Sequence, residues 1–167
     1  MKIFGVVGWK NTGKTGLVTR LVAHLTDMGV RVSTIKHAHH SFDVDHEGRD
    51  SYRHREAGAS QVLIASRERV ALMEELRGAD EPSLDDLLAR LAPADIVIIE
   101  GYKGEGHPKI ETHRAETGKD LIAPDDPTIC AVASDSKLVD LTAPVFDLND
   151  TSAIADFILE QTGLGHV

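Results

Sequence analysis

Met1-Lys2-Ile3-Phe4-Gly5-Val6-Val7-Gly8-Trp9-Lys10-Asn11-Thr12-Gly13-Lys14-Thr15-Gly16 opens the chain and decides how the rest is read. Ile3 to Val7 is apolar, partly β-branched and followed by glycine, which predicts a buried strand. Gly8 to Thr15 then matches G-x-x-x-x-G-K-[ST] in full. Over residues 14–28, Leu17, Val18, Leu21, Val22, Leu25 and Met28 form a helical stripe, with Gly29 as the stop. Strand, glycine loop and helix together are the setting in which this motif holds phosphate. The glycines let successive N–H groups turn inward, and the helix N-terminus adds its positive end. Lys14 would reach the β- and γ-phosphates and act catalytically there, and Thr15 would ligate Mg²⁺. Asn11, Thr12 and Gly13 complete the cradle. Lys10 reads either as a phosphate contact or as an exposed charge, because Trp9 occupies the place directly after the first glycine. Gly16 stands where a second Ser or Thr often contacts the α-phosphate, and glycine in a first helical turn costs up to about 1 kcal/mol.

Further elements alternate along the chain. Strands are expected at Val30 to Ile35, Ile96 to Ile99, Thr128 to Ala133 and Pro144 to Leu148. Gln61 to Ala65 and Arg69 to Met73 read as a hairpin. Asp50 is expected to cap a short helix to about Glu56, Ser83 and Asp86 form a capping box, and Asp150 or Thr151 starts a closing helix that stops at Gly163. Continuous apolar strands alternating with helices imply an α/β fold of P-loop NTPase type, with a mainly parallel sheet, helices on both faces and additional hairpin strands. One domain over residues 1–167 is expected, with 60–75 and 102–127 as peripheral insertions. Lys109 to Thr112 is expected as a short strand within the second insertion.

A phosphate loop needs an acidic side chain for the metal, commonly at the carboxyl end of a neighbouring apolar strand. Asp95-Ile96-Val97-Ile98-Ile99-Glu100-Gly101 offers two carboxylates. Asp95 enters the strand and Glu100 leaves it, and open α/β sheets bind ligands at the leaving end. Glu100 is therefore the expected catalytic and metal-side acid, with Gly101 letting the backbone pass close to the nucleotide.

Residues 36–56 gather His37, His39, His40 and His46 with several aspartates. Two readings stand: imidazole ligation of Zn²⁺ or Ni²⁺, or a nucleotide-responsive or pterin-binding loop with Asp45 or Asp50 near Mg²⁺ and Lys36 or Arg49 near phosphate.

Bulk composition limits the functional classes. The 167 residues carry 18 Lys+Arg against 27 Asp+Glu, a net charge of −9, which disfavours general nucleic-acid binding. Aromatic content of 4% argues against base-stacking platforms. No apolar run approaches the roughly 20 residues of a membrane span, and the N-terminal apolar run lacks a signal-peptide cleavage site. Cys130 alone allows no internal disulfide, so a cytoplasmic setting is expected.

The phosphate loop, Ile35-Lys36-His37-Ala38-His39-His40, Asp43-Val44-Asp45, Gly48-Arg49-Asp50-Ser51, Ala57-Gly58-Ala59, Glu100-Gly101-Tyr102-Lys103 and Ala131-Val132-Ala133-Ser134-Asp135 together resemble the MobB family of molybdopterin-guanine dinucleotide biosynthesis adapters. The resemblance runs from residue 2 to about 160 and implies a cytoplasmic, dimeric GTP-binding protein with weak GTP hydrolysis. It implies GTP and Mg²⁺ as ligands. The implied partner is the guanylyltransferase MobA, which joins GMP to molybdopterin, with molybdopterin or its loading enzyme as a further contact. It also implies Asp50 and Ser51 at the nucleotide, with Asp50 on the metal, and Glu100-Gly101 completing the Mg²⁺ side. No N-K-x-D string reads guanine; Asp135, just after a strand, is the candidate. A P-loop small-molecule kinase and a nickel-delivery GTPase remain as alternatives.

Overall fold

The computed structural model describes residues 1–38 and 42–165, so His39 and His40 of the histidine segment lie outside the described residues. In chain order the elements are β1 (Lys2–Val7), α1 (Lys14–Asp27), β2 (Val32–Lys36), α2 (Asp50–Glu56), β3 (Gln61–Ala65), β4 (Val70–Glu74), α3 (Leu84–Ala89), β5 (Ile96–Glu100), β6 (Lys109–His113), β7 (Ile129–Ser134), β8 (Val145–Asp147) and α4 (Thr151–Thr162). Contacts divide the chain into two compact units, Met1–His37 with Leu88–Val167, and Ala38–Leu87.

The first unit holds a six-stranded sheet in the order β2-β5-β1-β6-β7-β8. Every pairing in it is parallel. All carboxyl ends therefore share one edge, and the loops leaving β1, β2, β5, β6 and β7 start side by side. The uninterrupted apolar run Ile96 to Ile99 is fully buried, as a central parallel strand requires.

Leu17, Leu21 and Leu25 of α1 pack with Ile154, Ala155 and Ile158 of α4 over Phe4, Val6, Ile96 and Ile98. Phe157 meets Phe4 edge-on with ring centroids 6.5 Å apart. Each such side chain contributes about 1.5–3 kcal/mol on burial. Arg20 ties the two helices together by donating to Leu148 O at 2.7 Å and Thr151 Oγ1 at 3.0 Å. Asp150 caps α4 through the Ala153 N–H, and Gly163 ends it in the left-handed region.

Lys109–His113, inside the segment expected at the periphery, forms the strand between β1 and β7. Lys109 and Glu111 make it look half-polar, yet both are fully buried because the connections on either side of the strand satisfy them. Lys109 Nζ donates to Glu105 O and Thr128 Oγ1, 3.8 Å from Asp126. Glu111 accepts the N–H groups of Ile122 and Ala123.

The second unit carries the antiparallel β3–β4 hairpin, with Leu63 opposite Leu72. Arg55 organises its helical part: the guanidinium pairs with Asp43 and Glu75 at 2.8 Å each and with Asp45 at 3.4 Å. Asp50 is the first helical residue of α2 rather than its cap, a place held by Arg49 without a side-chain bond. There its charge faces the positive end of the helix. The Ser83–Asp86 capping box forms in both directions.

His107 is buried, with neither ring nitrogen hydrogen-bonded. Burial, with help from the Lys109 charge, pushes its pKa down to about 4. An unfolded histidine titrates near 6.5, so as pH falls the unfolded chain takes up this proton first. The native state therefore loses stability between about pH 6.5 and 4. The drop in urea midpoint from about pH 7 to about pH 5 will be smaller in His107→Leu than in the wild type; equal drops would contradict this.

Candidate functional site

β1 delivers the chain to Gly8, where the backbone runs against β6. A Cβ on Gly8 would lie 2.6 Å from Thr112 O and Oγ1, at φ 143°. Thr12, 1% exposed, staples the loop there. Its hydroxyl lies 2.7 Å from Thr112 Oγ1 and 2.8 Å from Trp9 O, while Thr112 donates to Val7 O. The Thr12 side chain thus fastens the loop to the sheet. Gly13, at φ 99°, turns the chain into α1, whose start has no side-chain cap and no acidic residue in its first turn. Its orphan N–H groups and positive end are left for an anion.

Thr15 Oγ1 donates to Glu100 Oε1 at 2.8 Å. Glu100 leaves β5 immediately beside β1 and is 8% exposed. Asp95, at the other end of that strand, is held by Arg31 at 2.8 Å, which lowers its pKa to about 2. A hydroxyl and a carboxylate oxygen at this separation form a hard-oxygen donor pair of the kind Mg²⁺ takes. A cation already sits against them: Lys36 Nζ is 3.3 Å from Thr15 Oγ1 and 3.2 Å from Glu100 Oε1. The donor set fits the metal.

Lys14 Nζ donates to Trp9 O at 2.6 Å and Gly8 O at 3.1 Å, folding over its own loop. Burial and the Lys103 ammonium push its pKa below the ordinary lysine value, and Glu100 pulls the other way. Trp9 donates its ring N–H to Asp120 O at 2.8 Å and carries Lys103 Nζ 4.0 Å above its ring.

Lys10, Asn11, Gly13, Lys14, Thr15, Gly16, Glu100 and Arg114 surround one polar cavity of about 440 Å³. Gly101 lies behind this wall, with its N–H on Val6 O and its Cα side against His37. Asp135 leaves β7 on the same sheet edge and accepts the Ala115 N–H at 3.0 Å. Asp50 and Ser51 belong to the second unit, where Ser51 donates to Asp45 at 2.9 Å. His37 stacks on Tyr102 at 4.7 Å, and no group of three metal-ligating side chains occurs among the described residues. Arg114 was not visible in the sequence. The signal was its position one residue past Lys109–His113, a strand that looks peripheral until it is paired with β1.

A parallel sheet whose first strand opens a glycine loop into a helix, with an acidic strand end bonded to the threonine of the loop, defines a P-loop-type α/β protein. The particular family is MobB: residues 3–135 match the family described as molybdopterin guanine dinucleotide synthesis protein B, and the chain belongs to it. It is 39% identical to the molybdopterin-guanine dinucleotide biosynthesis adapter protein of Escherichia coli, over 95% of this chain and 91% of that one. It is 41% identical to the protein of the same name from Haemophilus influenzae, over 93% and 86%. The crystal structure of a MobB homologue from Bacillus stearothermophilus superimposes with a TM-score of 0.73 at 28% identity, covering 98% of this chain and 99% of that one.

The Thr12 staple is measurable. Thr12→Val removes the hydroxyl from a buried site and should lower unfolding free energy by about 1–3 kcal/mol; an unchanged denaturation midpoint would show that the loop holds its shape without it.

Proposed function

We propose that this protein is a GTP-binding adapter in molybdopterin guanine dinucleotide biosynthesis, acting in the cytoplasm with the guanylyltransferase MobA. The observation that carries the nucleotide part is the convergence of Lys14, Thr15 and Glu100 on one cavity at the start of α1. The family and the names of the relatives support the pathway part.

Bound Mg²⁺ would neutralise β- and γ-phosphate oxygens. Thr15 and Glu100 would hold it, and Asp50 is the further metal-side candidate offered by the family resemblance. Lys36, whose ammonium now lies on Thr15 and Glu100, would compete with the ion for these oxygens and could turn to a phosphate instead. Lys14 exchanges two loop carbonyls for phosphate, and the N–H groups of residues 11–15 take the remaining oxygens. Asp135, two strands from β1 at the same edge, accepts from the guanine base. Molybdopterin or its loading enzyme is a further contact. Hydrolysis is slow, far below the typical enzymic turnover of about 10 per second.

The proposed adapter is a homodimer. The β3–β4 hairpin exposes Leu63, Val70 and Leu72 on one face, at 65%, 64% and 53%, a patch suited to a second copy. No helix of the described residues is long and apolar enough to cross a membrane.

A pull-down of MobA with the untagged chain, with and without GTP–Mg²⁺, tests the proposal. Capture should strengthen with GTP and lose that dependence in Lys14→Ala. Rapid phosphoryl transfer to a small metabolite, or no capture under either condition, would overturn it.

A further inference from the structure

We infer that Arg114 is a nucleotide-binding residue that grips the α- and β-phosphates from the side of the site opposite the metal. The inference rests on the nucleotide reading above and assigns a contact which that reading leaves open.

Strand order places the residue. β1 lies between β5 and β6, so Glu100 flanks the loop on one side and Arg114, the first residue after β6, flanks it on the other. A nucleotide that keeps its metal-bound end near Glu100 and its base near Asp135, beyond β7, crosses β6 in the middle. That crossing carries the α- and β-phosphates.

The side chain is aimed accordingly. A Cβ on Gly13 would lie 3.3 Å from Arg114 Nε and 3.6 Å from Nη2, so the guanidinium lies against the bare backbone of the loop. Nε is shut from solvent and bonds to nothing. The ion pair of Arg114 with Glu116 is loose: the carboxylate stands 3.7 Å from Nη1 and is itself 71% exposed. A buried N–H without an acceptor costs free energy; the guanidinium as a whole is 38% exposed beside the cavity, so a small turn of the side chain would bring it onto a phosphate oxygen there.

The backbone beneath is firmly held. Arg114 O accepts from Thr117 N and from Thr117 Oγ1, the latter at 2.8 Å, and the next N–H goes to Asp135. The base candidate is thus bonded to Ala115, the residue next to the phosphate candidate. The contact also answers a deficit: Gly16 offers no hydroxyl to the α-phosphate, and Arg114 lines the same cavity. A guanidinium is suited to the task because its planar fork gives two parallel donors to a phosphate.

Titration of GTP and GDP into full-length wild type, Arg114→Met and Arg114→Lys, in EDTA and in Mg²⁺, decides the matter. Arg114→Met should weaken both nucleotides alike by about tenfold or more, the loss of one charge-assisted hydrogen bond. The loss should persist in EDTA, and Arg114→Lys should recover part of it with an unchanged melting temperature. Wild-type affinity in Arg114→Met overturns the inference. So does a loss confined to GTP, which would put the side chain at the γ-phosphate, or a loss that vanishes in EDTA. If the wild type binds neither nucleotide, the nucleotide reading itself fails, a result distinct from all of these.

Discussion

Parallel pairing of β1 with β5 on one side and β6 on the other is the constraint on which the site depends. It sends three chain segments out of the sheet at one edge within a few ångströms of each other. From β5 comes Glu100, from β1 the glycine loop, and from β6 both Thr112 and Arg114. The loop is wedged between the outer two: Thr15 bonds to Glu100, and Thr12 bonds to Thr112. A slip of one residue in either pairing would turn these side chains to the other face of the sheet. The packing of α1 and α4 beneath is what holds the register, through Phe4, Val6, Ile96 and Ile98.

Charge shows how an acidic protein can hold an anion. The net charge of −9 opposes a nucleotide at long range, but salt screens that field beyond about 8–10 Å. Within that range the cavity gathers Lys10, Lys14 and Arg114, with Lys36 and Lys103 close by. Without a ligand these cations are partly quieted by the protein itself. Lys14 lies on two carbonyls, Lys36 on Glu100 and Lys103 on the Trp9 ring. Ligand entry would exchange these contacts for phosphate and metal.

Much of the fold could be read from local patterns. The helical stripe of α1, the run Ile96 to Ile99 and the Asp150 cap appear where periodicity and capping put them. The choice of Glu100 over Asp95 rests on strand direction alone; in the structure Glu100 lies on Thr15 and Asp95 on Arg31. What stayed hidden depends on distant partners. Lys109 and Glu111 look like surface residues because their partners, Thr128, Ile122 and Ala123, lie 11 to 19 residues away. The strand itself is expected from the sequence, but its place between β1 and β7 is not, and Arg114 follows from that place. Asp50 has the composition of a cap, but the preceding Arg49 already adopts the extended backbone of the capping position.

The proposed metal role of Thr15 and Glu100 is tested most directly by GTP affinity in wild type and Glu100→Gln, each with Mg²⁺ and with EDTA. If Thr15 and Glu100 hold the ion, Mg²⁺ tightens GTP binding to the wild type by on the order of tenfold and has little effect on the variant. Equal responses to Mg²⁺ in the two proteins would contradict the account.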